Sequence, residues 1–333
     1  MQKAFINFIV IILFATGQLT AQVDPHFSQY YTYTHFINPA AAGVMNADYR
    51  VAAIYRNQWS NINHAFRTAG LAADITTNKK VNLGADILNQ SAANGGYNYT
   101  TGYISAAFTG LRFGNEGSNH INIGLQAGLI NRNVNPSKFE FGDQWNPVTG
   151  YSAANPTADI FTTTNSTVFD AAAGIFYYNT DFNKTANPYF GIAAFHINKP
   201  ADPFTGTTDK STIPMRVAIS GGVNFYLSDR LIMVPNFLYM KQGTADEKML
   251  GTYFQISANE TTDFLTGINY RFQDAVVPYA GMSVNNLTIG VSYDVNLSPL
   301  GRIASGSNAF ELTLTISGKR PESNTDYFKC PRL

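Results

Sequence analysis

NLTIGVSYDVN, residues 286–296, places Leu287, Ile289, Val291, Tyr293 and Val295 on one face of an extended chain and Thr288, Gly290, Ser292, Asp294 and Asn296 on the other. Side chains of a β-strand point alternately to its two faces, so this period predicts a strand with one greasy and one polar side. Phe310–Ser317 repeats the rule, with Phe310, Leu312, Leu314 and Ile316 against Glu311, Thr313, Thr315 and Ser317. Ile121–Leu129 and Val217–Leu227 do the same, with Gly124 and Gly128 or Ser220 and Gly222 among the polar positions. Working outward, alternation predicts about fourteen strands, near 49–59, 66–76, 80–90, 97–113, 120–132, 167–179, 187–197, 214–227, 231–242, 248–257, 263–272, 275–284, 286–296 and 309–318. Most have the ~9–11 residues that a tilted membrane-crossing strand needs. Helical periodicity is almost absent after residue 45.

Composition decides which side meets water. Charged residues make up 13% of the 333 residues, while aromatics reach 14% and glycines number 27. A soluble domain carries about a quarter charged residues. The polar faces use Gly, Ser, Thr and Asn rather than Lys and Glu, and Tyr and Phe recur at segment ends, as interfacial girdles do. In a soluble sandwich the apolar face would turn inward. In an outer-membrane barrel it turns to lipid and the polar face lines the lumen. The expected fold is therefore all-β, a transmembrane antiparallel β-barrel of about fourteen strands with an N-terminal plug-like segment, in the bacterial outer membrane. An export signal fits: Lys3, the apolar run AFINFIVIILFATG, and LTA before Gln22. That run is shorter than the ~20 residues of a membrane anchor. The expected division is a signal peptide at 1–21, a plug or cap at 22–48, the barrel at 49–318 and a periplasmic tail at 319–333.

Charge and motifs exclude several functions. Net charge is zero with 22 basic and 22 acidic residues scattered along the chain, so no nucleic-acid footprint is expected. The single cysteine, Cys330, permits no internal disulfide and no Cys-rich metal site. None of the five histidines has zinc-helix spacing, and neither a G-x-S-x-G elbow nor a phosphate loop occurs. No cofactor, metal or enzymatic activity is expected; a rim hydrolase is the weaker alternative. Arg50, Arg56, Asp74, Asp86, Asp170, Arg216, Arg271, Asp294 and Glu311 fall on lumen-facing positions. They read better as ion pairs holding the wall or a plug than as a selectivity filter, since their signs nearly balance. The connections at 133–166 and 199–211 are expected outside, and the tight turns at 227–230 and 284–286 on the periplasmic side. The tight turn at 272–275 is the exception to long loops outside. In the longest loop, Trp145 is either a contact residue or packed on its own loop.

The stretch DPHFSQYYTYTHFINPAAAG, Asp24 to Gly43, then YRNQW at 55–59 and a terminal FKCPRL resemble the PorP/SprF family of Bacteroidetes. The family pattern, roughly D-P-x-F-S-Q-Y, N-P-A-x-A-G and R-x-Q-W, maps onto Asp24, Pro25, Phe27, Ser28, Gln29 and Tyr30; onto Asn38, Pro39, Ala40, Ala42 and Gly43; and onto Arg56, Gln58 and Trp59. A departure follows Trp59, where SNINHAFRT stands in place of a G-x-P-x-T element. The resemblance implies a non-enzymatic outer-membrane barrel tied to type IX secretion and gliding motility. It would help export or anchor a cell-surface adhesin bearing a C-terminal sorting domain. Its partners would be secretion components, that adhesin, outer-membrane lipid and possible periplasmic contacts with a lipoprotein or ring. The alternative is an outer-membrane channel or FadL-like transporter of small hydrophobic substrates, whose hatch is similar in its N-P-A element.

The aromatic stretch lacks strand alternation, so it cannot join the wall, and its apolar surface is unfavourable in water. It is expected to fold back into the lumen or to cap the periplasmic mouth, with Asn38-Pro39 redirecting the chain. Phe27, Tyr30, Asn38, Pro39, Gly43, Arg56, Gln58, Trp59, Trp145, Tyr327 and Phe328 are the candidate plug or partner contacts. The last two belong to a tail expected to dock a periplasmic partner.

Overall fold

In a computed structural model, residues 24–320 are described apart from 60–64, 78, 160, 162, 182, 203, 205–210 and 299–307. The expected signal peptide and most of the tail, with Tyr327, Phe328 and Cys330, lie outside the described residues. In chain order the strands are β1 (Tyr49–Gln58), β2 (Phe66–Ile75), β3 (Val81–Ala92), β4 (Tyr97–Phe113) and β5 (Asn119–Val134). A small hairpin follows, β6 (Trp145–Asn146) with β7 (Gly150–Tyr151). Then come β8 (Asn165–Asn179), β9 (Ala186–Phe195), β10 (Arg216–Ser228), β11 (Leu231–Gln242), β12 (Ala245–Ser257) and β13 (Thr262–Arg271). The last three are β14 (Ala275–Val284), β15 (Leu287–Asn296) and β16 (Ala309–Gly318).

All but β6 and β7 form one closed antiparallel barrel of fourteen strands, with β1 zipped to β16 from Tyr49↔Gly318 to Gln58↔Ala309. The expected strands are the wall strands, shifted by a few residues at their ends. Closure leaves no unpaired edge, which a sheet in lipid requires because hydrocarbon offers no hydrogen bonds.

The burial pattern is inverted relative to a soluble protein. On β15 and β16 the aliphatic and aromatic face is exposed, while Ser292, Asp294, Glu311 and Thr313 are buried. Ile104 is 69% exposed and Leu125 63%, whereas Asp170 and Glu311 are at 0%. In water such an outer face would be unfavourable by about 25 cal/mol per Å². Against acyl chains that cost disappears, so this surface faces lipid.

The two mouths differ. At one, where β1 begins and β16 ends, the connections are short: 76–80, 114–118, 180–185, 229–230, 258–261 and 285–286. The other carries the long connections 135–164 and 196–215, beside the short ones 243–244 and 272–274. Short turns mark the periplasmic side of outer-membrane barrels, so the first mouth is the inner one.

Candidate functional site

Residues 24–44 run inside the barrel. The evidence is the ring of strands they touch: Gln29 meets β15 and β16, Tyr30 meets β11, Tyr33 meets β3, and Asn38 meets β8 and β9. Only a segment within the lumen reaches strands from all round the wall. Its direction is also fixed. Asp24 lies at the outer mouth, against Gln242 at the end of β11 and His196 just past β9. Asp48, the residue before β1, bonds Gly318 at the inner mouth. The expectation of a fold-back or an inner cap thus resolves into a full traverse, beginning at the mouth opposite to where the segment joins the wall.

Three layers hold it. In the outer layer the Asp24 carboxylate accepts from Tyr99 at 3.1 Å and meets His196 at 2.9 Å and Arg216 at 3.2 Å. His196 Nδ1 lies 2.9 Å from Asp170, which also accepts from Tyr103 at 2.7 Å. Burial alone would raise the Asp24 pKa, but the His196 and Arg216 charges outweigh it and hold the carboxyl well below its usual range.

The second layer centres on Glu311 of β16. The successive N–H groups of Ser28 and Gln29 donate to its two carboxylate oxygens, at 2.6 and 2.9 Å. Arg56 of β1 donates both to Glu311 and, at 2.8 Å, to Asp294. Arg271 reaches the same Asp294 at 2.6 Å and donates to the Ser28 hydroxyl at 3.0 Å. The Gln29 amide donates to Ser292 and accepts from Thr313. Two guanidinium groups and two carboxylates thus neutralise one another in a buried site, and the segment's backbone fills the remaining acceptor positions.

Below this, Phe27, Tyr33 and Phe36 form an edge-to-face cluster packed on Ile54, Leu88 and Ile130. Each buried ring contributes about 1.5–3 kcal/mol. The third layer is the Asn38-Pro39 turn. Asn38 is extended, as a residue before proline must be, and its side chain caps a short 3₁₀ turn over Pro39–Ala41 by accepting from Ala40 N–H at 2.9 Å. Its amide nitrogen donates to Ile175 O at 2.9 Å. The approach is so close that a Cβ on Gly124 would sit 2.2 Å from Ala40 N, and one on Gly174 2.2 Å from Asn38 Oδ1. Gly43 has φ +71°, and its N–H donates to Asp74 at 2.8 Å. His35 lies 3.7 Å from both Asp74 and Asp86.

Of the sequence-derived residues, Phe27, Tyr30, Asn38, Pro39, Gly43 and Arg56 come together in the lumen. Gln58 and Trp59 do not: Gln58 ends β1 at the outer mouth, and Trp59, just past it, packs edge-on against Phe66 at 5.5 Å. Trp145 stands apart on the β6–β7 hairpin, 56% exposed yet 6.0 Å from Tyr151, beside Val148 at 92%. Ser28, Gln29 and Asp24 were visible only as parts of the aromatic motif. His26, His35 and His196 carried no motif signal.

A family described as Type IX secretion system membrane protein PorP/SprF matches residues 19–316. The chain belongs to the PorP/SprF family. None of the curated proteins matches it. Among solved structures, the toluene transporter TbuX of Ralstonia pickettii is similar at 10% identity, over 86% of this chain and 94% of that one, with a TM-score of 0.50. The toluene transporter TodX of Pseudomonas putida is similar at 6% identity, over 88% and 94%, with a TM-score of 0.47. At such identities the likeness is one of fold. This PorP/SprF chain is a type IX secretion barrel of the bacterial outer membrane.

Proposed function

We propose that this barrel acts without enzymatic chemistry, as a closed outer-membrane platform that helps export or anchor a gliding-type surface adhesin by protein–protein docking at its mouths. The observation that carries the reading is the lumen segment: wall charges such as Glu311, Asp74 and Arg50 and interior glycines hold residues 24–44 rather than line an open path. The partner side is the outer mouth, where the long 135–164 connection presents Trp145 and Val148. Periplasmic secretion components meet the inner mouth, from which the tail leaves. The rival reading, a channel or FadL-like transporter of small hydrophobic substrates, draws on the fold shared with a protein described as a toluene transporter.

The two readings are separated by capture and by conductance. Mild-detergent pull-down of the tagged barrel is expected to recover an adhesin with a C-terminal sorting domain, and Trp145→Ala to reduce that recovery. Liposomes holding the intact barrel are expected not to conduct, and deletion of residues 24–44 to open them. Conductance by the intact barrel with no captured protein would favour the channel.

A further inference from the structure

A cavity of about 490 Å³ opens at the inner mouth, between the lumen segment and strands β12 to β16. Small-molecule sites have volumes of ~300–1,000 Å³. The lining changes with depth. Tyr253 and Tyr279 stand deeper along β12 and β14 than Gln255 and Ser283, because both strands end at the inner mouth. There the two rings meet Tyr31 of the lumen segment, with centroids 5.3 and 5.9 Å away. Nearer the periplasm the lining turns polar, with Gln255, the Asn285-Asn286 turn, and Thr288, whose hydroxyl donates to Ser283 at 3.0 Å. Among the described residues, the lining includes the cations Arg50 and Lys319 and no carboxylate.

A hydrocarbon filling this space would cover the amides and hydroxyls of the rim without offering them partners, which is unfavourable. An ammonium or guanidinium would meet two cations and no counter-ion. A saccharide suits both parts of the lining. One face of a sugar ring is a sheet of C–H groups that stacks on aromatic rings, and its hydroxyls both donate and accept, as carboxamide side chains do. We propose that this cavity is a binding site for a periplasmic saccharide of one or two rings. A ring face lies on Tyr31, Tyr253 and Tyr279, and the hydroxyl edge turns to Gln255, Asn285 and Asn286. Cell-wall glycan and the sugar of a glycosylated periplasmic protein share this chemistry. The site is at the mouth opposite the long connections and does not depend on adhesin docking. Because the lumen segment supplies Tyr31, the saccharide binds only while that segment is seated, and so stabilises the seated form.

The test uses the barrel purified from outer membranes in detergent, titrated by calorimetry. The probes are the N-acetylglucosamine–N-acetylmuramic acid disaccharide for the wall, mannobiose for a protein-linked sugar, and toluene and hexylammonium for the excluded classes. At least one saccharide is expected to bind with a Kd below about 1 mM. Binding of the wall disaccharide alone would identify the wall as the source, and of mannobiose alone a glycosylated protein; either supports the site. Thr315→Phe puts a ring into the cavity from β16 and is expected to abolish binding. Tyr31→Leu removes the stacking ring and is expected to weaken binding at least about tenfold. The Tyr31 hydroxyl has no hydrogen-bond partner among the described residues, so this second variant orphans no group and keeps the test decisive if Thr315→Phe does not assemble. No saccharide binding up to about 10 mM, affinity unchanged by both variants, or toluene or hexylammonium binding more tightly in a Thr315→Phe-sensitive manner would overturn the proposal.

Discussion

Glu311 accepts from donors of two kinds: the backbone of the lumen segment at Ser28 and Gln29, and the Arg56 guanidinium of the neighbouring strand. Removing one partner of such a buried group leaves the others unsatisfied and typically destabilises by about 3–5 kcal/mol. Glu311→Ala is therefore expected to release residues 24–44, read as new protease cleavage within them and a conducting barrel. Glu311→Gln, which keeps an acceptor, should lose about 1–3 kcal/mol.

At the scale of elements, the segment and the wall are fitted to each other through missing side chains. Gly124 and Gly174 leave room for Ala40 and Asn38 where any Cβ would collide. Gly174→Val is expected to displace the Asn38 turn and lower stability by about 1–3 kcal/mol, read by thermal melting in detergent. The wall was legible in the sequence because period-2 alternation is a local signal, and NLTIGVSYDVN displays it without interruption. The path of residues 24–44 was not, because non-periodic chain is positioned by partners distant in sequence: Ser28 by Glu311, Gly43 by Asp74, Tyr30 by Asn236. Glycines such as Gly124 stand on the polar faces, but it is their small volume, which alternation alone does not reveal, that admits the segment. Among the charges on those faces, Arg50 meets Asp74 and Arg56 meets Asp294, the kind of pairing that nearly balanced signs imply. The Asp24–His196–Asp170 chain needed three elements brought together, and nothing in the spacing of those residues announces it.

For the whole molecule, the outward apolar belt sets what the barrel tolerates. Ile104→Arg places a charge on the lipid face and is expected to lower stability in a bilayer by about 2–4 kcal/mol if the site lies near the midplane. Refolding into lipid vesicles, scored by the heat-sensitive gel shift of closed barrels, would check it; an unaltered folded fraction would argue against a lipid-facing Ile104.

The seam between β1 and β16 joins the first and last strands of the wall, and Arg56 and Glu311 face each other across it. Those two residues also grip Ser28 and Gln29. The final zippering step and the capture of the interior chain therefore share the same atoms, and neither can finish until β16 has been delivered. A half-built barrel would leave Arg56 without Glu311 and the interior chain without its main acceptor, so assembly becomes all-or-none, and the same carboxylate that shuts the cylinder also inspects its contents.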